Sequence, residues 1–258
     1  KFLSPTWNLL VGYPCMFPSL VHEPHLIHHL PKYFGTPQDP EYICMSGKGL
    51  KLAFFPFVMA LLIIPVLVVR FGILPLVSPL FGRKFQEALY RRFSTQVVNP
   101  SFVREIQSEK DLVAARRHEL FSSVFFIGWV MLFATGVVSI QFFGALIFAL
   151  VGTALMNIFR ARIAHLYDKE NPHATLSPLE LIRDSASVEG GWLTFFWAPA
   201  GVQYHSLHHI DPAIPYHNLR KAHHFLRKQL PADNAYIKSV QPTFFSGMKR
   251  FFGIIRKK

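Results

Sequence analysis

Two long apolar stretches in the middle of the chain restrict its fold more than any other feature. Residues 120–138 and 142–159 are each about long enough to cross a bilayer as a helix, which takes roughly 20 apolar residues. Only three residues separate them, so we expect a transmembrane helical hairpin over 120–159. Charged residues make up 16% of the chain, below the roughly 25% of soluble domains. The chain is therefore predicted to be one all-α integral-membrane domain over 1–258.

A histidine pattern, His-x-x-His-His, occurs twice in this apolar chain, as "HLIHH" at 25–29 and "HSLHH" at 205–209. Positions i, i+3 and i+4 lie on one face of a helix, so each copy presents three imidazoles together. Neutral imidazole is the commonest metal ligand in proteins. An all-imidazole set favours zinc, copper, iron or nickel, and six histidines are more than one ion takes, so we predict two ions. The predicted ligands are His25, His28, His29, His205, His208 and His209.

The alternative for a single copy of this pattern is a polar helical face without a metal. Two copies beside apolar segments of one chain favour the metal site. A seventh ligand, His165, is predicted where the second apolar stretch ends, because an ionisable residue at the membrane boundary is a candidate for function.

Other residues near the two patterns are predicted to support the ligands. A ligating histidine usually donates its second ring N–H to an acceptor such as a carboxylate. His22 precedes Pro24, where the first helix is expected to begin, and His217 follows Pro212, so neither is predicted to ligate. The supporting candidates are His22, Asp39, Glu41, Asp184, Glu189 and His217.

The topology follows from placing both histidine patterns on one side of the membrane. An even number of crossings must then separate them, and the 120–159 hairpin supplies two. We therefore expect residues 53–81, which contain four prolines, to be membrane-embedded without crossing. Residues 160–258 form a histidine-rich cap on the cytoplasmic face, because the basic segments all fall on that side. The net charge of +12 is explained by this bias, and no nucleic-acid partner is expected.

The motifs "HLIHH", "RARIAHLY" and "APAGVQYHSLHHIDPAIPYHNL", in this order, resemble the integral-membrane fatty acid desaturase superfamily. The last motif, and "GTPQDPEY" after the first pattern, are similar to bacterial members. The resemblance implies a non-haem centre of two irons on the cytosolic face of a membrane, the inner membrane of a bacterium. It also implies O2 activation and an acyl or lipid-like chain as substrate. The seven predicted ligands match family ligand positions. A further family box, H-x(3–4)-H, has no match before His22, which predicts an N-terminally truncated sequence with an incomplete iron site.

The resemblance implies an O2-dependent fatty acid desaturase that receives electrons from a separate donor such as a ferredoxin or cytochrome. Hydroxylation, carotenoid oxygenation and decarboxylation to a terminal alkene, all within the same superfamily, remain open. A remote alternative is a non-catalytic membrane protein that binds haem or a metal. Paired haem ligands would lie on facing membrane helices, and residues 120–159 contain no histidine, which disfavours that class.

Overall fold

Helices make up about 67% of the computed structural model, and strands almost none, which confirms the all-α class. The structure describes residues 3–45, 49–95, 99, 101–168, 171, 174–191, 194–198 and 201–256. The chain divides into two compact units, each built from two segments. The first unit comprises Lys1–Leu26 and Met59–Thr153, and the second comprises Ile27–Val58 and Ala154–Lys258. The single-domain expectation over 1–258 stays a prediction.

The first half of the described chain contains seven α-helices. They are α1 (Leu3–Trp7), α2 (His25–His28), α3 (Gly49–Leu61), α4 (Ile63–Leu67), α5 (Leu74–Val77), α6 (Gly82–Phe93) and α7 (Glu109–Ala134). Shorter helical turns of other geometry lie between them. These are π-helical at Asn8–Gly12 and Val68–Ile73, and 3₁₀ at Ser19–Val21 and Ser78–Phe81.

The second half contains seven α-helices and two short strands in its described residues. The helices are α8 (Ile140–Ala164), α9 (Pro178–Asp184), α10 (Thr194–Trp197), α11 (His205–Ile210), α12 (Tyr216–Gln229), α13 (Ala235–Ser239) and α14 (Phe244–Ile255). The strands are β1 (Ser187–Val188) and β2 (Val240–Gln241), which pair in parallel with Ser187 opposite Val240.

The helical run from α4 to α6 is held to α7 by polar contacts within the first unit. The buried guanidinium of Arg70 pairs with the carboxylate of Glu119 at 2.5 Å and donates to the carbonyl of Phe93. The hydroxyl of Ser123 donates to the carbonyl of Phe71 at 3.2 Å. A charge so placed needs its partner, because a lone buried ion is strongly unfavourable. These contacts fix α7 against the proline-interrupted run.

Two described helical stretches, Ile63–Phe93 and Ile140–Ala164, are long and apolar enough to cross a membrane by length and composition. The predicted hairpin has shifted ends, because α7 stops at Ala134 and α8 starts at Ile140. Gly136, with φ +73°, turns the chain just past α7, a conformation that favours glycine after a helix end. Whether 53–81 stays on one side of the membrane, and whether 120–159 crosses twice, stay predictions.

The second unit holds its central segments together through the short extended stretch around β1. Ser185 pairs with His165 in an isolated antiparallel bridge, and Ser187 pairs with Tyr204 in another. The stretch therefore ties the residue that follows α8 to the residue that precedes α11. This backbone pairing brings distant parts of the sequence to one place.

Candidate metal centre

Four buried imidazoles in the second unit converge on one point. The Nε2 atoms of His28 and His165 are 3.2 Å apart, those of His165 and His205 are 2.8 Å apart, and those of His205 and His209 are 3.0 Å apart. One ligand atom from each of the four lies within 4.8 Å of the others. Three separate stretches of sequence thus supply one cluster, which we call the four-histidine cluster.

Two buried carboxylates orient two of these rings. Asp39 lies 2.9 Å from Nδ1 of His28, and Asp184 lies 3.0 Å from Nδ1 of His165. A carboxylate is an acceptor, so we infer that each Nδ1 carries the proton. The Nε2 atoms of both rings then present lone pairs to the cluster. This is the arrangement that metal-ligating histidines adopt with a carboxylate behind them.

The spacing of the nitrogen atoms fits a bound metal ion. Two imidazole nitrogens about 2.1 Å from one ion and at right angles to each other are about 3.0 Å apart. The observed separations of 2.8–3.2 Å match that spacing. Two facing lone pairs on His28 and His165 repel each other unless a cation or a shared proton lies between them. The donor set therefore fits a transition metal held by nitrogen ligands.

The remaining box residues of the second unit lie beside the four-histidine cluster and are half-buried. The ring of His29 lies 4.6 Å from that of His208 and stacks at 4.5 Å on that of His209. Each His-x-x-His-His box therefore divides its side chains between two places. His28 from the first box, with His205 and His209 from the second, enters the buried cluster, while His29 and His208 form a pair at its side.

His25 lies at the start of α2 and is half-buried. It belongs to the first unit, and its role as a ligand stays a prediction. The ligand roles of the other six histidines also stay predictions, although the structure brings His28, His165, His205 and His209 together.

Burial sets the protonation of the cluster. It lowers the pKa of His205 and of His209 well below 6.5, and the neighbouring histidines lower both further. Burial also lowers the pKa of His165, against the opposing effect of Asp184. Burial acts in the same direction on His28, but the carboxylate of Asp39 outweighs it and raises the pKa of that ring. Three of the four rings are thus neutral and ready to ligate at neutral pH.

Aromatic side chains enclose the four-histidine cluster. The ring of Phe34, which is fully buried, lies 4.9 Å from His28, 5.4 Å from His165 and 5.5 Å from His209. Apolar walls exclude water and strengthen the electrostatic interactions of the groups inside. The cluster is therefore shielded from water on the side that Phe34 covers.

The hydroxyl of buried Tyr42 donates to the carboxylate of Asp184 at 2.7 Å. A chain of hydrogen bonds thus runs from Tyr42 through Asp184 to the ring of His165. Tyr42 is not among the supporting residues that the sequence predicts, although it lies in the "GTPQDPEY" stretch. No local pattern marks it, because its partner is 142 residues away.

The structure places the other predicted supporting residues as follows. Glu41 is half-buried, with its backbone N–H donating to Asp39. Glu189 contacts His223 and Arg227, neither of which is a predicted ligand. His217 is exposed on α12. His22 is exposed, and its ring lies 4.9 Å from that of Phe17.

Comparisons with known proteins show the family of the chain. The family model described as "Fatty acid desaturase" matches residues 2–241. A protein of Caulobacter vibrioides (strain NA1000 / CB15N) named "Ceramide hydroxylase" is 35% identical over an alignment of 261 residues, gaps included. The alignment covers 98% of this chain and 71% of that protein. No solved structure matches the chain. The chain belongs to the fatty acid desaturase family of membrane enzymes, which includes hydroxylases.

Proposed function

We propose that this protein is an O2-dependent, non-haem-iron enzyme that hydroxylates the hydrocarbon chain of a membrane lipid. The observation that carries the proposal is the convergence of four buried Nε2 atoms, two of them backed by carboxylates. The choice of hydroxylation over desaturation is supported by the relative named ceramide hydroxylase. Ceramide is accordingly the first substrate to test.

The residues would divide the work as follows. His28, His165, His205 and His209 would hold one iron, and His29 and His208 would contribute to a second. Bound iron supplies the activation of O2 that oxidation of an unactivated C–H bond requires. Asp39 and Asp184 hold two ligand rings in the tautomer that directs Nε2 at the metal. Phe34 and its neighbours exclude water from the reacting groups.

Desaturation of an acyl chain is the second candidate, because the matched family model carries the description "Fatty acid desaturase". It removes two hydrogens from the chain and leaves no oxygen in the lipid. The two reactions share the metal, the O2 and the demand for two electrons, so the ligands do not distinguish them. The identity of the product does.

Mass spectrometry of lipids from cells grown under isotopically labelled O2 would distinguish the candidates. The full-length protein is expressed in a host that makes ceramide but has no hydroxylase of its own. We expect ceramide to gain one labelled oxygen atom. A loss of two hydrogens without label would instead establish the desaturase. A His205→Ala/His209→Ala variant serves as the inactive control. Both candidates would be contradicted if ceramides and acyl lipids were unchanged although the protein purified from the same cells contained iron.

A further inference from the structure

Helix α12, which follows the second histidine box, presents a cationic face on the exterior of the protein. Six of the exposed positions of α12 recur at helical spacing, so they share one face. We call this set the α12 face: His217, Arg220, Lys221, His224, Phe225 and Lys228. The sequence of α12, YHNLRKAHHFLRKQ, contains no acidic residue. Phe225, 62% exposed, places an apolar ring within this cationic surface.

The opposite face of α12 is already occupied by the second unit. Leu219 and His223 are fully buried, and Leu226 packs against the cluster of Tyr204 and Leu207. His223 lies 3.0 Å from the carboxylate of Glu189, and its ring stacks on Tyr204. A helix that lies in a membrane surface buries its apolar face in lipid. Since α12 uses that face inside the protein, its outer face suits an acidic protein better than a bilayer.

The first residue of α12 connects this surface to the candidate metal centre. Tyr216 is 45% exposed, and its ring centroid lies 5.3 Å from that of His208, a predicted ligand. Arg220 follows one turn later on the α12 face. Tyr216 therefore lies between the cationic surface and His208 of the second histidine box. This arrangement would give electrons a short route from the α12 face to the candidate metal centre.

The proposed reaction requires such a route. Hydroxylation follows R–H + O2 + 2 e⁻ + 2 H⁺ → R–OH + H2O, so two electrons must enter for each product. The sequence contains no motif for a flavin, haem or iron–sulfur group. We propose that the α12 face docks an acidic one-electron carrier protein, which delivers two electrons in succession by way of Tyr216 and His208. This inference rests on the proposed function.

Charge reversal on the α12 face tests the docking. The full-length protein in zwitterionic nanodiscs is driven by a plant-type [2Fe–2S] ferredoxin, which is acidic, with its reductase and NADPH. For Lys221→Glu/Lys228→Glu we expect KM for ferredoxin to rise about tenfold, because removal of charge steering slows association, while kcat at saturation is unchanged. Added salt should raise KM in the parent and have little effect in the variant. The matched control is Lys249→Glu/Arg256→Glu, two exposed positions of the same unit, for which we expect less than about a twofold change.

A small reductant separates docking from chemistry. Dithionite with methyl viologen needs no docking surface, so the reversed variant should form product with it at the parental rate. Equal losses with both reductants would show that the cations support the fold or the centre, and would overturn the proposal. So would a parental KM in the variant, or a parent that works with viologen and not with ferredoxin. A loss seen only in anionic nanodiscs would assign the face to lipid headgroups instead.

Tyr216 is tested by the rate at which ferredoxin reduces the metal centre in rapid mixing. Tyr216→Phe keeps the ring and should keep the rate, whereas Tyr216→Leu should lower it about tenfold or more. Equal rates of reduction for the two variants would show that electrons do not pass through Tyr216. A parent that contains iron and oxidises no lipid with either reductant would refute the proposed function, which is a separate outcome from failure of the docking.

Discussion

At the scale of single residues, the candidate centre depends on which atom of each ring carries the proton. The carboxylates of Asp39 and Asp184 hold His28 and His165 with Nε2 turned inward. Asp39 also accepts the backbone N–H groups of Gly35 and Glu41, so its position is fixed by the main chain. Asp184 instead takes a side-chain donor, Tyr42. The two carboxylates thus perform similar tasks with different support.

Replacing Tyr42 with Phe should weaken metal binding about tenfold, at the lower end of the effect of losing a residue that supports a ligand. The ring still fills its buried space, and only the donor to Asp184 is lost. Tyr167→Phe is a matched control, because its hydroxyl donates to the backbone carbonyl of Ala161 and its ring also lies near His165. Competition with a chelator, using zinc or cobalt and the purified protein, measures both affinities. Equal losses in the two variants would contradict a specific role for Tyr42.

At the scale of elements, the turn before α11 and the start of α12 are fitted closely together. Gly201 has φ +87°, and a Cβ at that position would lie 2.7 Å from the carbonyl oxygen of Tyr216. Both the backbone conformation and the space therefore require glycine. Because α11 carries His205 and His209, this contact helps to set the position of two predicted ligands.

Gly201→Ala should lower the free energy of unfolding by about 1–3 kcal/mol, the usual cost of a strained backbone position. Gly253→Ala is the control, since that glycine lies within α14 with open space around it and its replacement should be neutral or stabilise by up to about 1 kcal/mol. Thermal unfolding of the two proteins in a mild detergent compares them. A Gly201→Ala protein as stable as the parent would show that the turn adjusts without strain.

At the scale of the whole molecule, protonation of the cluster couples folding to pH. His165, His205 and His209 have a lowered pKa in the folded state, so the unfolded chain binds more protons below 6.5. Well above pH 6.5 these rings are neutral in both states and leave the free energy of unfolding unchanged. As the pH falls below 6.5, the unfolded chain binds protons first and the free energy of unfolding decreases. His28 has a raised pKa and acts in the opposite direction, stabilising the fold below 6.5. The three histidines with a lowered pKa destabilise the fold in acid, and His28, with a raised pKa, acts against them.

We therefore expect the metal-free protein to unfold more readily as the pH falls below 6.5. Bound metal should reduce this dependence until the pH at which protons displace it, because only neutral imidazole ligates. Unfolding followed by circular dichroism at a series of pH values, with and without added zinc, measures both effects. The His205→Gln/His209→Gln variant should show a shallower pH dependence. A metal-free parent whose stability does not change on acidification would contradict the expectation.

The topology can be tested on the intact membrane. His28 and His165 approach within 3.2 Å, so we expect an even number of membrane crossings between them. If the hairpin crosses twice and residues 53–81 do not cross, a cysteine at Ser139 should react with an impermeant thiol reagent from outside the cell. A cysteine at Ser101 should react only after the membrane is opened. Cys15 and Cys44 are first replaced with Ser. Labelling of Ser101→Cys in intact cells would show instead that Ile63–Phe93 crosses.

The sequence by itself determined the helical membrane class, the two histidine boxes and the family. Those features depend on local signals, namely long apolar stretches and the helical spacing of histidines, which neighbouring residues specify without the rest of the fold. The tertiary structure decided how the boxes divide, with His28, His205 and His209 in the buried cluster and His29 and His208 at its side. It also decided that Tyr42 supports Asp184. These pairings join residues far apart in the chain, so only the packing of the helices and the bridges around β1 fixes them.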